Sequence, residues 1–288
     1  MLLPTAALVA ACALWGSTFV VVKQAVEQIP PVQFLAIRFA IGTGVLALLW
    51  RPRVRGSVRP GALAGLALGA GYIFQTVGLQ HTTATNAALV TGLFVVFTPA
   101  LAALFLRRPP TAPALVGVAL ATTGLVLLSL QTAPGLPAFR RGDAIVLGCA
   151  VMFALHVVAL GRFAPGADVR ALTVVQLAVC TVLFVVLLPT ARVEGVSGGQ
   201  IWFALLLTGL GATAFAFAAQ TWAQSRISPT RTAVILTMEP VFAALFGFAV
   251  LGDRLTARGW IGAAFILAGM VAAELRVSAS PGAGTRPP

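Results

Sequence analysis

Apolar residues run along this chain in long unbroken blocks, and polar residues gather in the short gaps between them. Ten blocks can be read, approximately Leu3–Val22, Val32–Trp50, Gly61–Leu79, Ala87–Leu106, Ala114–Leu130, Ala144–Leu160, Ala171–Leu188, Ile201–Gln220, Thr232–Leu251 and Trp260–Ala273. A helix rises about 1.5 Å per residue, so roughly 20 apolar residues cross the hydrocarbon core of a bilayer. The blocks do not alternate apolar with polar, which excludes the strands of a membrane β-barrel. The pattern predicts an all-α integral membrane protein of ten transmembrane helices. No gap has room for a soluble domain. The first block has no basic segment before it and no small-x-small cleavage site, so it reads as a retained helix and not a signal peptide. Residues 278–288 are rich in Gly, Pro and Ser, and predict a disordered tail.

Composition strengthens this picture. The 288 residues are 59% hydrophobic and 9% charged, with a mean hydropathy of +0.99. A soluble domain carries roughly 25% charged residues, so lipid has to be the solvent here. Cys12, Cys149 and Cys180 all fall inside predicted spans and read as small apolar packers, not a disulfide set. A single lysine, Lys23, stands against many arginines in a chain rich in Ala, Gly and Val. That bias points to a GC-rich bacterial genome, and hence to a bacterial cytoplasmic (inner) membrane.

The formal charge of +12 raises nucleic acid as a partner, but the arginines are spread over loops between spans and no domain carries them. The positive-inside rule accounts for them instead. With the N-terminus in the cytoplasm, Arg51, Arg53, Arg55, Arg59, Arg107, Arg108, Arg162, Arg170, Arg226, Arg231, Arg276 and Arg286 lie inside. Lys23, Arg140, Arg141, Arg192, Arg254 and Arg258 lie outside, and Arg38 is left within a span. Twelve against six favours both termini in the cytoplasm.

An internal repeat is visible. Gly69-Ala70-Gly71 answers Gly209-Leu210-Gly211 at an offset of 140. The heptapeptide from Pro99 to Phe105 answers that from Pro240 to Phe246 at 141, and Gly117 and Gly124 answer Gly262 and Gly269 at 145. Residues 1–137 and 138–277 then form two copies of five helices, with 278–288 as a cytoplasmic tail. Five is odd, so the second copy sits upside down, and inverted repeats are a transporter architecture with substrate near the midplane.

Several motifs, taken in order, resemble a known family. They are Leu14-Trp15-Gly16-Ser17-Thr18-Phe19, Gly78-Leu79-Gln80, Asn86-Ala87-Ala88 through Phe97-Thr98-Pro99, and the stretch from Phe215 to Thr256. That last stretch holds Pro229-Thr230-Arg231, Glu239-Pro240 and Leu251-Gly252-Asp253-Arg254-Leu255-Thr256. Together they resemble the EamA family of the drug/metabolite transporter superfamily over nearly the whole chain. Asp253 stands where the family usually has Glu, and Phe153 and His156 stand where it often has Trp and Tyr. The resemblance implies a secondary transporter exporting small metabolites or drugs, amino acids among them, across the cytoplasmic membrane by alternating access. It implies a cavity built by helices 1, 3, 4, 6, 8 and 9, with helices 5 and 10 at the periphery. The driving force is either a coupling proton or the substrate's own gradient.

Candidate site residues follow from the cost of polar groups in lipid. Glu239 is the one acid deep in a predicted span, and the adjacent Pro240 frees a backbone carbonyl nearby. It reads as a cation or proton site, or as a hydrogen-bonded tie between helices. Thr98 precedes Pro99 as Glu239 precedes Pro240, with Thr91 and Thr232 seven residues upstream on the same faces. These threonines form facing polar stripes, or simply bond their own backbones. Trp15, Ser17 and Thr18 cluster in the first span, and Tyr72 and Gln75 share a face of the third. They suit a cavity for a planar or amphiphilic solute, or fill the core. Asn86 touches substrate or caps the fourth helix, and His156 titrates or is a satisfied core histidine. Gln176 reads as interhelical glue. Arg38, six residues from the outer end of its span, is expected to snorkel outward or pair with Glu27 in preference to touching substrate. Gly61, Gly65 and Gly69 line one face and permit close helix approach.

No phosphate-binding G-x-x-x-x-G-K-[ST] loop occurs, and neither H-E-x-x-H nor C-x-x-C is present. The expectation is a non-enzyme without cofactor, metal or ATP site, whose partners are lipid, a small-molecule substrate and protons as a coupling ion. A uniporter or importer in the same fold is the alternative. A membrane-embedded lipid-modifying enzyme is a distant one, since it needs convergent acid, base or metal groups.

Overall fold

The computed structural model describes residues 2–107, 109–129, 141–246 and 256–274. The repeat junction at residues 137–138, the end of the ninth block, Arg108, Arg140, Asp253, Arg254, Arg276, Arg286 and the tail lie outside the described residues.

Within the described residues the chain is helical and carries no strand. In order come α1 (Leu2–Val26), α2 (Pro31–Trp50), α3 (Val58–Gln80), α4 (Ala84–Gly92), α5 (Phe94–Leu106) and α6 (Ala112–Ser129). Then follow α7 (Arg141–Phe163), α8 (Val169–Leu187), α9 (Gly199–Leu206), α10 (Ala216–Gln224), α11 (Pro229–Leu236), α12 (Met238–Phe246) and α13 (Ala257–Glu274). α9 and α10 are one rod, joined by a π-helical segment at Leu207–Phe215. Seven of these helices or rods are long and apolar enough to cross a membrane; α6 and α13 are shorter apolar helices. Their outer faces expose Leu48, Leu49, Leu104, Phe105, Val182, Val186 and Phe203. Water would penalise such a surface, whereas lipid solvates it.

Local chemistry sets the helix ends. Pro31 starts α2, where its missing N–H is not needed, and Arg51 in the left-handed conformation ends it. Asp168 caps α8, accepting from the backbone N–H groups of Arg170 and Ala171. Thr83 caps α4 through Asn86 N, so the expectation that Asn86 is the cap is corrected: the cap lies three residues earlier. Ser228 caps α11 in the same way.

The fourth and ninth blocks each break in two, at Leu93 and at Thr237. Pro240 cannot donate to the carbonyl of Leu236, next to the second break. Pro99 sits inside α5, further from the first break, where Gly92 weakens the helix.

Glycines let the helices meet. A Cβ at Gly61 or Gly65 would lie 2.5 Å from Val175 Cγ1 or the Gln176 carbonyl oxygen of α8, so this stripe packs as its spacing predicts. On the other side α6 crosses α13, with Gly117 against the Gly269 carbonyl and Gly124 against the Gly262 carbonyl. α3 packs on α7 and α8, α2 on α8 and the π segment, and α1 on α10 and α12. The central core gathers Trp15, Phe39, Leu68, Tyr72, Phe184, Phe217 and Ile235.

Candidate functional site

A cavity opens among these helices. It contains about 660 Å³ of space free of atoms, its open mouth included. Its wall takes residues from α1, α2, α3, α5, α7, α10, α11 and α12, and none from α6 or α13. Counted by the ten apolar blocks these are the first, second, third, fourth, sixth, eighth and ninth, the expected set with the second added through Arg38 of α2.

Arg38 overturns the snorkelling expectation. It is 3% exposed and points inward. Its Nε donates to Thr213 Oγ1 at 2.8 Å and its Nη2 to Tyr72 Oη at 3.3 Å. The guanidinium carbon lies 4.8 Å from the Tyr72 ring centre and 5.6 Å from that of Phe39. Hydroxyl acceptors and aromatic faces offset the cost of removing this cation from water, which outward snorkelling would otherwise avoid. Glu27 has a different partner, Lys23, at 3.7 Å.

Glu239 lines the same cavity from the first turn of α12. Gly16 makes that approach possible: a Cβ there would fall 2.6 Å from the Glu239 carbonyl oxygen. Among the described residues no ion pair within 4.0 Å joins Arg38 to Glu239. One cavity therefore holds a guanidinium and a carboxyl that do not neutralise each other by contact.

Aromatic rings line the same cavity. Trp15 and Phe217 lie 5.2 Å apart, Tyr72 and Phe153 5.2 Å, and His156 meets Phe217 edge-on at 6.0 Å. The Trp15 indole donates to the Ala212 carbonyl at 2.7 Å. That carbonyl and the Thr213 hydroxyl both belong to the π segment, so α1 and α2 anchor their site residues on one irregular turn. π turns inside longer helices recur at functional sites.

Of the sequence candidates, Trp15, Thr18, Tyr72, Gln75, His156 and Glu239 line the cavity together. Thr91 sits behind, accepting from Gln75 Nε2 at 3.1 Å. Ser17, Thr98 and Thr232 bond their own backbones at Leu14, Phe94 and Ser228, and are not in the wall. Asn86 is not in it either. The facing polar stripes expected for Thr98 and Thr232 are therefore absent from the wall, because each hydroxyl is spent on the preceding turn. Gln176 donates to Thr221 Oγ1 at 2.8 Å, tying α8 to α10 as glue. Sequence reasoning misplaced Arg38 and missed Gln220 and Thr213. For Arg38 and Gln220 the signal was present: each is a strongly polar side chain in an apolar block.

Known proteins share this chain's pattern. The sequence profile of the EamA-like transporter family matches residues 3–130 and again residues 140–273. An uncharacterized transporter of Archaeoglobus fulgidus is 34% identical over 265 residues, covering 92% of this chain and 83% of that one. The threonine/homoserine exporter RhtA of Salmonella typhimurium is 29% identical over 261 residues, covering 85% of this chain and 82% of that one. A solved crystal structure at 21% identity superimposes with a TM-score of 0.80 over 94% of this chain and 96% of the other, a likeness of fold. With both halves matched over almost their full length, the chain belongs to the EamA-like transporter family and is a multi-pass membrane transporter of small molecules.

Proposed function

We propose that this protein exports a small zwitterion of the amino-acid type across the cytoplasmic membrane by alternating access. The observation that carries the reading is the pairing of Arg38 and Glu239 in one aromatic-walled cavity without an ion pair between them. A guanidinium grips a carboxylate through parallel N–H donors, and a carboxylate takes an ammonium. A solute bearing both charges satisfies both walls. The name of the Salmonella relative supports this class and the outward direction.

The reading includes ten spans in two inverted halves, at 1–137 and 138–277, with both termini cytoplasmic. Contacts between the halves support it, because related elements meet at related residues. Thr43 of α2 bonds Thr181 of α8 at 3.0 Å, two positions 138 apart. Gly117 meets Gly269 while Gly124 meets Gly262, each contact the image of the other. Gly71 lies against Phe153 as Gly211 lies against Leu14. A two-fold axis between the halves generates such self-complementary contacts.

Proteoliposomes loaded with unlabelled threonine and given labelled threonine outside test the proposal. Expected is counterflow that unlabelled amino acids inhibit but their methyl esters and N-acetyl derivatives do not. Glu239→Gln and Arg38→Met should each lower the rate about tenfold or more, the worth of one hydrogen bond to a charged group. Equal inhibition by the N-acetyl compounds would remove Glu239 from recognition. Wild-type rates in Glu239→Gln would also end any role for it as carrier of a coupling proton.

A further inference from the structure

Two polar atoms in the cavity wall, His156 Nε2 and Gln220 Oε1, form no well-shaped hydrogen bond, and their side chains lie within reach of each other. Each residue is 2% exposed. A buried polar group left unpaired forfeits its hydration with nothing in return, so two in one wall call for a reason.

Their chemistry can be worked out from their neighbours. His156 Nδ1 lies 3.1 Å from the Ala64 carbonyl oxygen. A carbonyl only accepts, so Nδ1 carries the proton, and in the neutral ring Nε2 is a bare acceptor. Gln220 is oriented by a relay. Gln224 Nε2 donates to the Val157 carbonyl at 2.8 Å, which leaves Gln224 Oε1 to accept from Gln220 Nε2 at 3.1 Å. Gln220 Oε1 is then left over. Turning that amide round would set two carbonyl oxygens against each other. Both free atoms are therefore acceptors, and two acceptors cannot satisfy each other. Phe217, packed edge-on to the imidazole and one turn before Gln220, holds the ring in place.

We propose that His156 and Gln220 form an acceptor subsite that selects solutes carrying a hydrogen-bond donor, a hydroxyl or amide N–H, in addition to their charged groups. This rests on the zwitterion reading above and adds side-chain specificity to it. A site built to accept from a donor rejects the isostere that lacks one, because its acceptors stay unpaired.

The test uses shape-matched pairs: serine against 2-aminobutyrate, and threonine against valine, competing for counterflow in proteoliposomes. The donor-bearing member should compete about tenfold better, and Gln220→Leu or His156→Phe should bring the ratio close to one. Equal competition by both members in the wild type overturns the subsite and leaves the zwitterion reading standing. A second measurement does not depend on transport or on the variants folding. The chain has two histidines, so His81→Gln leaves His156 as the sole imidazole in the ¹⁵N spectrum of the full chain in nanodiscs. Nε2 should be unprotonated, and should shift with threonine but not with valine. A proton on Nε2 with Nδ1 bare, or an imidazolium giving Nε2–H to Gln220, overturns the acceptor assignment. If neither amino acid competes while Nε2 stays an unprotonated acceptor, the zwitterion reading fails and the acceptor subsite survives.

Discussion

At the scale of single residues, membrane burial turns geometry into identity. Arg38 is held by a fork, one nitrogen on Thr213, another on Tyr72, with its plane near two rings. Lysine carries the same charge as a point on a flexible stem and cannot reach both hydroxyls or stack in the same way. Arg38→Lys should therefore insert and fold, yet lose about tenfold in counterflow rate, the worth of one charge-assisted hydrogen bond. Wild-type rates in that variant would mean that charge alone suffices at this position. Much of this wall was legible in the sequence: Trp15, Tyr72, Gln75, His156 and Glu239 stood out as polar or aromatic groups inside apolar blocks, and they share the cavity. Arg38 was misread because its depth was judged from its own helix alone. Its partners lie 175 and 34 residues away in the chain, and no local pattern announces them.

At the scale of elements, close approach of backbones sets where the site residues stand. Gly16 of α1 faces the backbone of Glu239 and Ala243 in α12, and neither can yield as a flexible side chain would. Gly16→Ala should push α12 away, costing about 1–3 kcal/mol as overpacking and displacing Glu239 from the wall. Gly44 of α2 has nothing within 4 Å of where its Cβ would be, so Gly44→Ala is the control. It should stay within about 1 kcal/mol of wild type, on the stable side, since alanine favours the helix. Thermal unfolding in detergent of both variants decides this, and equal losses would count against the contact. The apolar blocks located nine of the described helices or rods well, with ends within a few residues. They did not reveal the breaks at Leu93 and Thr237, or the π segment at Leu207–Phe215. Hydropathy is blind to both, because a π turn, a broken turn and an α turn in lipid use the same apolar side chains. Only Pro99 and Pro240 signalled disturbance, and both lie after the break they accompany.

At the scale of the whole molecule, the two halves place a prediction on topology. If five spans repeat upside down, the total is even, and the N- and C-termini share a side of the membrane. By the positive-inside rule the arginine-rich loops, Arg51 to Arg59 above all, predict that this side is the cytoplasm. In contacts such as Gly117 on Gly269 and Gly124 on Gly262, α6 and α13 run antiparallel, the arrangement that an inverted repeat would give them. Fusion of a reporter that is active only in the cytoplasm to either end of the full chain should give activity in both cases. A reporter active only outside should be silent at both ends, and active when placed in the loop at residues 191–198 between α8 and α9. Termini on opposite sides would mean an odd number of spans. That result would end the inverted repeat and, with it, the two-fold frame in which Arg38 and Glu239 face one substrate. Termini together on the outside would keep the frame and reverse the orientation. Flux would then need to be measured in inverted vesicles before any direction could be assigned to the transport proposed for this cavity.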